Sequence, residues 1–273
     1  MKFNPTFNID RIEIGRGGLF FILGPCVIES ETFVLELAYR LKELTSEIQV
    51  PFIFKASFDK ANRTSINSFR GPGIKEGLRI LRRVKEELDI PVLSDIHETW
   101  QAELAGEVLS IIQIPAFLCR QTDLLLAAGK TGLPINVKKG QFVSPEDMFP
   151  VVDKIKSTGN SKIILTERGT FFGYRNLVVD FRNIPIMKRT GMPVVIDVTH
   201  SVQRPSASGG VSGGDPEFIP IIASSGVVSG ADGVFMEVHP DPSNALSDGT
   251  NSLDLKKLKP LLIKLKSLYN IIS

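Results

Sequence analysis

Residues 193–198 read PVVIDV (Pro193–Val198), a short and nearly continuous apolar run that is rich in β-branched side chains. Runs of this length and composition are typical of parallel β-strands that are buried on both faces. Their recurrence along the chain predicts eight strands of one parallel sheet. The other seven runs are Leu19–Leu23, Pro51–Ala56, Pro91–Ile96, Ile111–Pro115, Pro134–Lys138, Lys162–Thr166 and Gly233–Val238.

Helix-patterned segments such as Glu31–Leu44 and Ile74–Leu88 lie between most of these runs. Alternating strands and helices are compatible with a closed (β/α)8 TIM barrel or with an open doubly wound sheet. The length of 273 residues, the strand count and the lack of a GxGxxG motif after the first run favour the barrel. We therefore predict one α/β barrel domain over residues 1–273.

Two further segments carry structural signals. Phe7–Arg16 alternates like a strand before the first run, which predicts an N-terminal β-hairpin that caps the barrel floor. Ser206–Gly214 reads SASGGVSGG, a composition that is typical of a mobile loop.

The charge balance excludes some classes of partner. Lys and Arg total 32 and Asp and Glu total 30, so the net charge is +2, which argues against a nucleic-acid or polybasic membrane binder. Two cysteines are too few for a disulfide framework, and the polar N-terminus has no signal-peptide core. The sequence therefore predicts a cytoplasmic protein that binds neither nucleic acid nor membrane.

Polar or ionisable side chains stand at the carboxyl end of all eight predicted strands. In a (β/α)8 barrel this end carries the active site. Any one of them could be a polar residue where a strand reaches solvent, but buried charges need partners, and a shared polar ligand would supply them. These residues include Cys26, Lys55, Ser57, Asp95, His97, Gln113, Lys138, Arg168, His200 and Glu237.

Basic residues among them predict phosphate binding. Lys55, Lys138 and Arg168 would converge on the barrel mouth, and the loop Lys60–Ser65 (KANRTS) adds two cations, an amide and two hydroxyls. Arg presents a bidentate fork to phosphate, and Lys presents a point charge. A solvated basic loop is the alternative. We expect two anionic groups or two anionic substrates.

A divalent-metal site is the second chemical prediction. Strands 1, 7 and 8 would be neighbours in a closed barrel, and they and the loop after strand 8 carry Cys26, His200, Glu237 and Asp248. Thiolate, imidazole and carboxylate together suit Fe²⁺, Zn²⁺ or Mn²⁺. Their spacing is not a local motif, a cysteine at a strand end is often a small buried hydrophobe, and His239–Pro242 is a competing cluster.

Long motifs spread over nearly the whole chain resemble the 3-deoxy-D-manno-octulosonate 8-phosphate synthases, also called 2-dehydro-3-deoxyphosphooctonate aldolases. The resemblance implies a (β/α)8 barrel, usually a homotetramer, that condenses phosphoenolpyruvate with D-arabinose 5-phosphate and water and releases phosphate. The product serves lipopolysaccharide (Kdo) biosynthesis. The motifs include Gly24–Ser30, Lys55–Arg63, Ser94–Glu98, Gln113–Asp123, Asn136–Gln141, Thr166–Gly169, Asp197–Gln203 and Glu237–Pro242.

The resemblance also implies roles for single residues. Phosphoenolpyruvate would be held by Lys55, Lys60, Lys138 and Arg168, and Ser57 and Gln113 are further candidate substrate-binding residues. Arabinose 5-phosphate would be held by Asn62, Arg63 and Thr64, and by Arg120 of a neighbouring subunit. Candidate catalytic residues are Lys138, His200, Asp248 and Asp95, with His200 and Asp248 as proton relays.

Cys26 bears on the metal. The family has a metal-dependent branch with Cys in the Gly-Pro-Cys segment and a metal-independent branch with Asn there. Cys26 resembles the metal branch, which implies that His200, Glu237 and Asp248 complete the ligand set.

Three other functions stay open. A relative that uses erythrose 4-phosphate typically has Lys-Pro-Arg-Thr where this chain has Lys60-Ala61-Asn62-Arg63. A sialic-acid-type synthase takes an unphosphorylated acceptor, whereas Arg63 beside Thr64 and Ser65 favours a phosphorylated one. A catalytically silent barrel that binds phosphosugars is the third, and the full set of polar residues disfavours it.

Overall fold

Parallel strands closed into a cylinder form the centre of the molecule. The computed structural model describes residues 6–15, 18–63, 65–172, 176–208 and 211–273. The strands are β1 (Phe7–Ile9), β2 (Ile12–Ile14), β3 (Phe20–Gly24), β4 (Phe52–Lys55), β5 (Val92–Asp95), β6 (Ile111–Ile114), β7 (Ile135–Lys138), β8 (Ile163–Glu167), β9 (Val194–Asp197), β10 (Gln203–Ser208), β11 (Val211–Gly214), β12 (Gly233–His239) and β13 (Leu253–Asp254).

Helices follow most strands of the cylinder and cover its outside. They are α1 (Glu31–Glu47), α2 (Ile74–Leu88), α3 (Gln101–Gly106), α4 (Thr122–Lys130), α5 (Met148–Lys156), α6 (Asn183–Lys188), α7 (Ile219–Val228) and α8 (Leu255–Ile272).

Within the described ranges, the sheet order is β3-β4-β5-β6-β7-β8-β9-β12, and β12 pairs in parallel with both β9 and β3. The sheet is therefore closed, which confirms the (β/α)8 barrel and excludes the open sheet. The strand bounds lie within two residues of the predicted runs. The prediction of a single domain over residues 1–273 stays a prediction.

Side chains alternate between the two faces of each barrel strand. One face packs against the helices, and the other fills the barrel interior with Phe20, Ile22, Ile53 and Phe235 among others. The β1–β2 hairpin adds Ile9, Ile12 and Ile14 to this interior cluster. The predicted cap on the barrel floor is thereby confirmed.

Ile14 on the hairpin is completely buried in that interior cluster. Its replacement by alanine should lower the free energy of unfolding by about 2–4 kcal/mol, because the surrounding side chains cannot fully fill the cavity that the smaller side chain would leave. Urea titration would measure this, with the exposed Ile271→Ala as control, expected within about 0.5 kcal/mol of wild type. Equal stabilities of the two variants would show that the hairpin contributes no core.

Glu31, in the first turn of α1, joins α1 to α2. Its carboxylate accepts hydrogen bonds from Arg79 and Arg83, and these lower the pKa of Glu31 from 4.5 to about 2. Because the folded pKa lies below the unfolded one, the stabilisation is present above pH 4.5 and lost as the pH falls toward 2. The free energies of unfolding of wild type and Glu31→Gln should therefore converge as the pH falls across that range. The change should be small, because the ion pairs are exposed. Urea titrations at several pH values test this, and a difference that stays constant would contradict it.

The prediction of a loop at 206–214 is wrong for the part of this segment that the structure describes, and the predicted mobility stays a prediction. The segment joins an antiparallel pair, β10 and β11, with Gln203 opposite Gly214 and Ser208 opposite Val211. Arg204 Nε donates to Asp215 Oδ2 at 2.6 Å beside the base of this pair. Serine and glycine carry too little apolar periodicity for a strand to be predicted from sequence.

No helix of the described residues has the length and apolar character needed to cross a membrane.

Candidate active site

A cavity of about 1110 Å³ opens at the carboxyl ends of the barrel strands. Two of the predicted site residues are not placed at this cavity. Arg120 is exposed and does not line the cavity, and Thr64 lies outside the described residues. Cys26, Ser57 and Glu237 are buried against lining residues. The predicted site residues that line the cavity are Lys55, Lys60, Asn62, Arg63, Asp95, Gln113, Lys138, Arg168, His200 and Asp248.

Three of the four predicted metal ligands meet beside this cavity. Neighbouring strands bring Glu237 and Cys26 together, since Glu237 of β12 is paired with Gly24 of β3. One ligand atom from each of Cys26, Glu237 and Asp248 lies within 4.8 Å of the others. Glu237 Oε2 is buried and has no hydrogen-bond partner. A buried thiol and two carboxylates with an unpartnered oxygen fit a borderline divalent cation.

Cys26 lies between the acidic groups of this cluster. Its Sγ is 3.2 Å from Asp248 Oδ2 and 2.9 Å from Ser247 Oγ. Burial, followed by the charges of Asp248 and Glu237, raises the pKa of Cys26 to about 12. Because thiolate is the form that binds metals, a cation in this cluster would have to displace the thiol proton.

His200, the fourth predicted ligand, does not join that group of three. Its Nδ1 is 2.8 Å from Asp197 Oδ2, and its Nε2 is 3.7 Å from Glu237 Oε1. When one ring nitrogen of an imidazole is hydrogen-bonded to a carboxylate, the orientation of the ring is fixed and the other nitrogen is directed toward its ligand. His200 is therefore held with Nε2 facing the acidic cluster.

Two lysines balance the charge of Glu237. Lys55 Nζ donates to Glu237 Oε1 at 3.1 Å and to the Cys26 carbonyl at 3.0 Å, and Lys60 Nζ lies 3.6 Å from Glu237 Oε1. Burial alone would raise the pKa of Glu237, but His200, Lys55 and Lys60 together hold it well below its usual range. The carboxylate of Glu237 is thus ionised and lies among cations.

Arg63 connects the β4–α2 loop to the same cluster. Its Nη1 donates to Asp248 Oδ1 at 3.3 Å, and its Nη2 contacts Ser247 Oγ. Asn62 beside it is exposed and lines the cavity. This loop therefore presents its polar side chains next to the acidic group.

On the opposite wall, Lys138 and Arg168 present positive charge. Lys138 Nζ donates to Asp197 Oδ2 at 2.5 Å, and Arg168 Nη2 donates to Gln203 Oε1 at 3.0 Å. Arg168 Nη1 is buried without a hydrogen-bond partner, and burial lowers the pKa of both cations. An unsatisfied buried donor on a cation is the feature that an anionic ligand would complete.

Polar pairs hold the remaining predicted residues. Ser57 Oγ donates to Asp95 Oδ1 at 2.5 Å, and His97 Nε2 lies 2.9 Å from Asp95 Oδ2. Gln113 Oε1 accepts from Asn136 Nδ2 at 3.1 Å. These bonds fix Asp95 and Gln113 at the cavity wall.

Asp197 is one of the site residues that sequence reasoning did not single out. It is completely buried and contacts both Lys138 and His200. Burial would raise its pKa, but His200 and Lys138 hold it well below the usual range. The available signal was its place in the run 193–198, where strand alternation puts it on the same face as Val195.

Comparisons with known proteins show the family of this chain. Residues 4–273 match the model of the DAHP synthetase I family. This chain belongs to the DAHP synthetase I family. Three relatives of this chain are named 2-dehydro-3-deoxyphosphooctonate aldolase, which confirms the resemblance found in the sequence. They come from Koribacter versatilis (56% identity, covering 95% of this chain and 94% of the relative), Desulfatibacillum aliphaticivorans (57%, 95% and 96%) and Geobacter metallireducens (58%, 94% and 95%).

Proposed function

We propose that this chain condenses phosphoenolpyruvate with D-arabinose 5-phosphate and water, forming 3-deoxy-D-manno-octulosonate 8-phosphate and phosphate for Kdo biosynthesis. The observation that carries the proposal is the shared name of relatives that match nearly the whole chain at 56–58% identity. The cation-lined cavity supports it, because both substrates carry phosphate.

The phosphoenolpyruvate site lies between Lys138 and Arg168 on one wall and Lys55 and Lys60 on the other. Four cations around one cavity match a ligand that has a phosphate and a carboxylate. The unpartnered Nη1 of Arg168 would donate to this ligand. Ser57 and Gln113 would supply neutral hydrogen bonds beside it.

The sugar phosphate site comprises Asn62, Arg63 and Thr64, completed by Arg120 of a neighbouring subunit. Arg120 is exposed away from the cavity of its own chain, as expected for a residue that acts in a partner. We propose that the chain forms a homotetramer, and exposed aromatic rings on three loops at this end of the barrel support contact between subunits. They are Phe117, Phe142, Phe171 and Phe172.

The reaction forms a bond between C3 of phosphoenolpyruvate and the aldehyde carbon, and the aldehyde oxygen takes up a proton. Water adds at C2 and loses a proton, after which the C2–O bond to phosphate breaks. Lys138 lies where it can stabilise negative charge, and Asp95 is fixed by Ser57 and His97. His200 and Asp248 would move the protons.

Cys26, Glu237 and Asp248, together with His200, would hold Fe²⁺, Zn²⁺ or Mn²⁺. Such an ion supplies Lewis-acid stabilisation of developing negative charge. The chain's own residues prepare the site: Lys55 and Lys60 neutralise Glu237, and Asp197 orients His200. Both cysteines are unpaired, which agrees with a cytoplasmic location.

Phosphate release tests the proposed function. The chain should release phosphate from phosphoenolpyruvate with arabinose 5-phosphate and not with erythrose 4-phosphate, and EDTA should abolish the activity. Preference for erythrose 4-phosphate would assign the chain to the other activity considered above. Binding of phosphoenolpyruvate without turnover with either sugar would indicate a silent barrel.

A further inference from the structure

Behind the wall that carries Lys138 and Arg168 lies a second pair of charged residues. Lys139 and Glu167 are the chain neighbours of these two cations. Both are completely buried, and Lys139 Nζ lies 3.7 Å from Glu167 Oε2. Strand alternation directs them away from the cavity, since Val137 and Leu165, two residues earlier on each strand, pack in the helix-facing core.

Glu167 holds the backbone that carries Arg168. Its Oε1 accepts from the backbone N–H of Arg168 at 2.9 Å and from that of Gly169 at 2.6 Å. Its Oε2 accepts from Asn183 Nδ2 at 3.0 Å. The carboxylate therefore fixes the chain where β8 ends and the arginine enters the cavity wall.

Lys139 fixes the adjoining loops in the same way. Its Nζ donates to Thr170 Oγ1 at 3.0 Å and to the carbonyls of Gly140 and Val143, each at 3.3 Å. Its backbone N–H donates to the Thr166 carbonyl at 2.8 Å. The two charged groups therefore tie the end of β7 to the end of β8.

Net stability is a poor explanation for this pair, because desolvation of two buried charges offsets most of their attraction. The hydrogen bonds point to a different role. We propose that Glu167, with Lys139 as its buried counter-charge, is a positioning residue that holds Arg168 in place for the anionic groups of phosphoenolpyruvate. This inference rests on the proposed function, and it goes further by assigning a role to two residues outside the cavity.

Two double variants separate positioning from charge. Lys139→Met with Glu167→Met removes the ion pair and the carboxylate that accepts from both backbone N–H groups. Lys139→Met with Glu167→Gln removes the ion pair but keeps an acceptor for the backbone N–H of Arg168. The first should raise the Kd of phosphoenolpyruvate, measured by calorimetry, by about 10–100-fold, and the second should restore it to within about threefold of wild type. The KM for arabinose 5-phosphate should change by less than about twofold in both.

Lys188 and Asp232 provide a matched control at the opposite end of the barrel. Their side chains are 2.9 Å apart, and Asp232 Oδ2 accepts from the backbone N–H of Val194 at 2.8 Å. Replacing both with methionine should lower the melting temperature and leave the Kd of phosphoenolpyruvate unchanged. A folded double variant with methionine at positions 139 and 167 that kept wild-type affinity would overturn the proposal.

Two further outcomes are decisive. If the double-methionine variant at positions 139 and 167 does not fold, the variant that combines Lys139→Met with Glu167→Gln can still overturn the proposal. An increase in its Kd well above about threefold would contradict a role for the retained acceptor. If wild type binds phosphoenolpyruvate but does not condense it with arabinose 5-phosphate, the proposed function fails. The binding comparison still tests the positioning role in that case.

Discussion

Replacing Cys26 with serine is expected to remove bound metal and to lower kcat/KM by at least about 100-fold. The thiol lies within 4.8 Å of carboxylate oxygens of Glu237 and Asp248. A serine hydroxyl is too weakly acidic to replace thiolate as a ligand, so two carboxylates and His200 would remain. Metal content after dialysis, measured by mass spectrometry, and activity with added Fe²⁺, Zn²⁺ or Mn²⁺ check the result.

Cys119→Ser is the matched control, because Cys119 is also buried and unpaired but does not belong to the group of Cys26, Glu237 and Asp248. This variant should keep its metal and its activity per folded molecule. If Cys26→Ser kept both after thorough chelation, the acidic cluster would be a structural network without a metal. The assignment to the metal-dependent branch would then fail.

The barrel could be predicted from sequence because each buried parallel strand leaves a strong signal. The run at 193–198 and its seven counterparts needed only their composition and spacing. The cavity followed from the same pattern, since residues at the carboxyl ends of barrel strands must meet. Lys55, Lys138 and Arg168 line it as predicted.

Contacts between side chains of different barrel strands leave no comparable signal in the sequence. Lys138 contacts Asp197, which is 59 positions away, and that contact depends on closure of the barrel and on the register of β7, β8 and β9. In sequence, Asp197 is one acid within an apolar run. Only the closed structure shows that it balances a buried lysine and orients His200.

Asp197→Asn should therefore damage two groups at once. Lys138 would lose its buried counter-charge, and His200 would lose the acceptor that fixes its ring. We expect a loss of about 3–5 kcal/mol in the free energy of unfolding, since an unpaired buried cation remains. We also expect kcat/KM to fall by about 100-fold, because the orientation of His200 and the placement of Lys138 both contribute to the reaction. Urea titration and steady-state kinetics on the folded fraction measure the two effects.

Asp232→Asn is the control that separates the loss of stability from the loss of activity. Asp232 is largely buried and pairs with Lys188, but it lies at the amino ends of β9 and β12, away from the cavity. Its variant should lose stability while kcat/KM per folded molecule stays within about twofold of wild type. If both variants lost activity only in proportion to unfolding, Asp197 would be a structural ion-pair partner. If Asp197→Asn alone lowered kcat/KM, the buried acid would belong to the active site because it positions the two groups that meet the substrates.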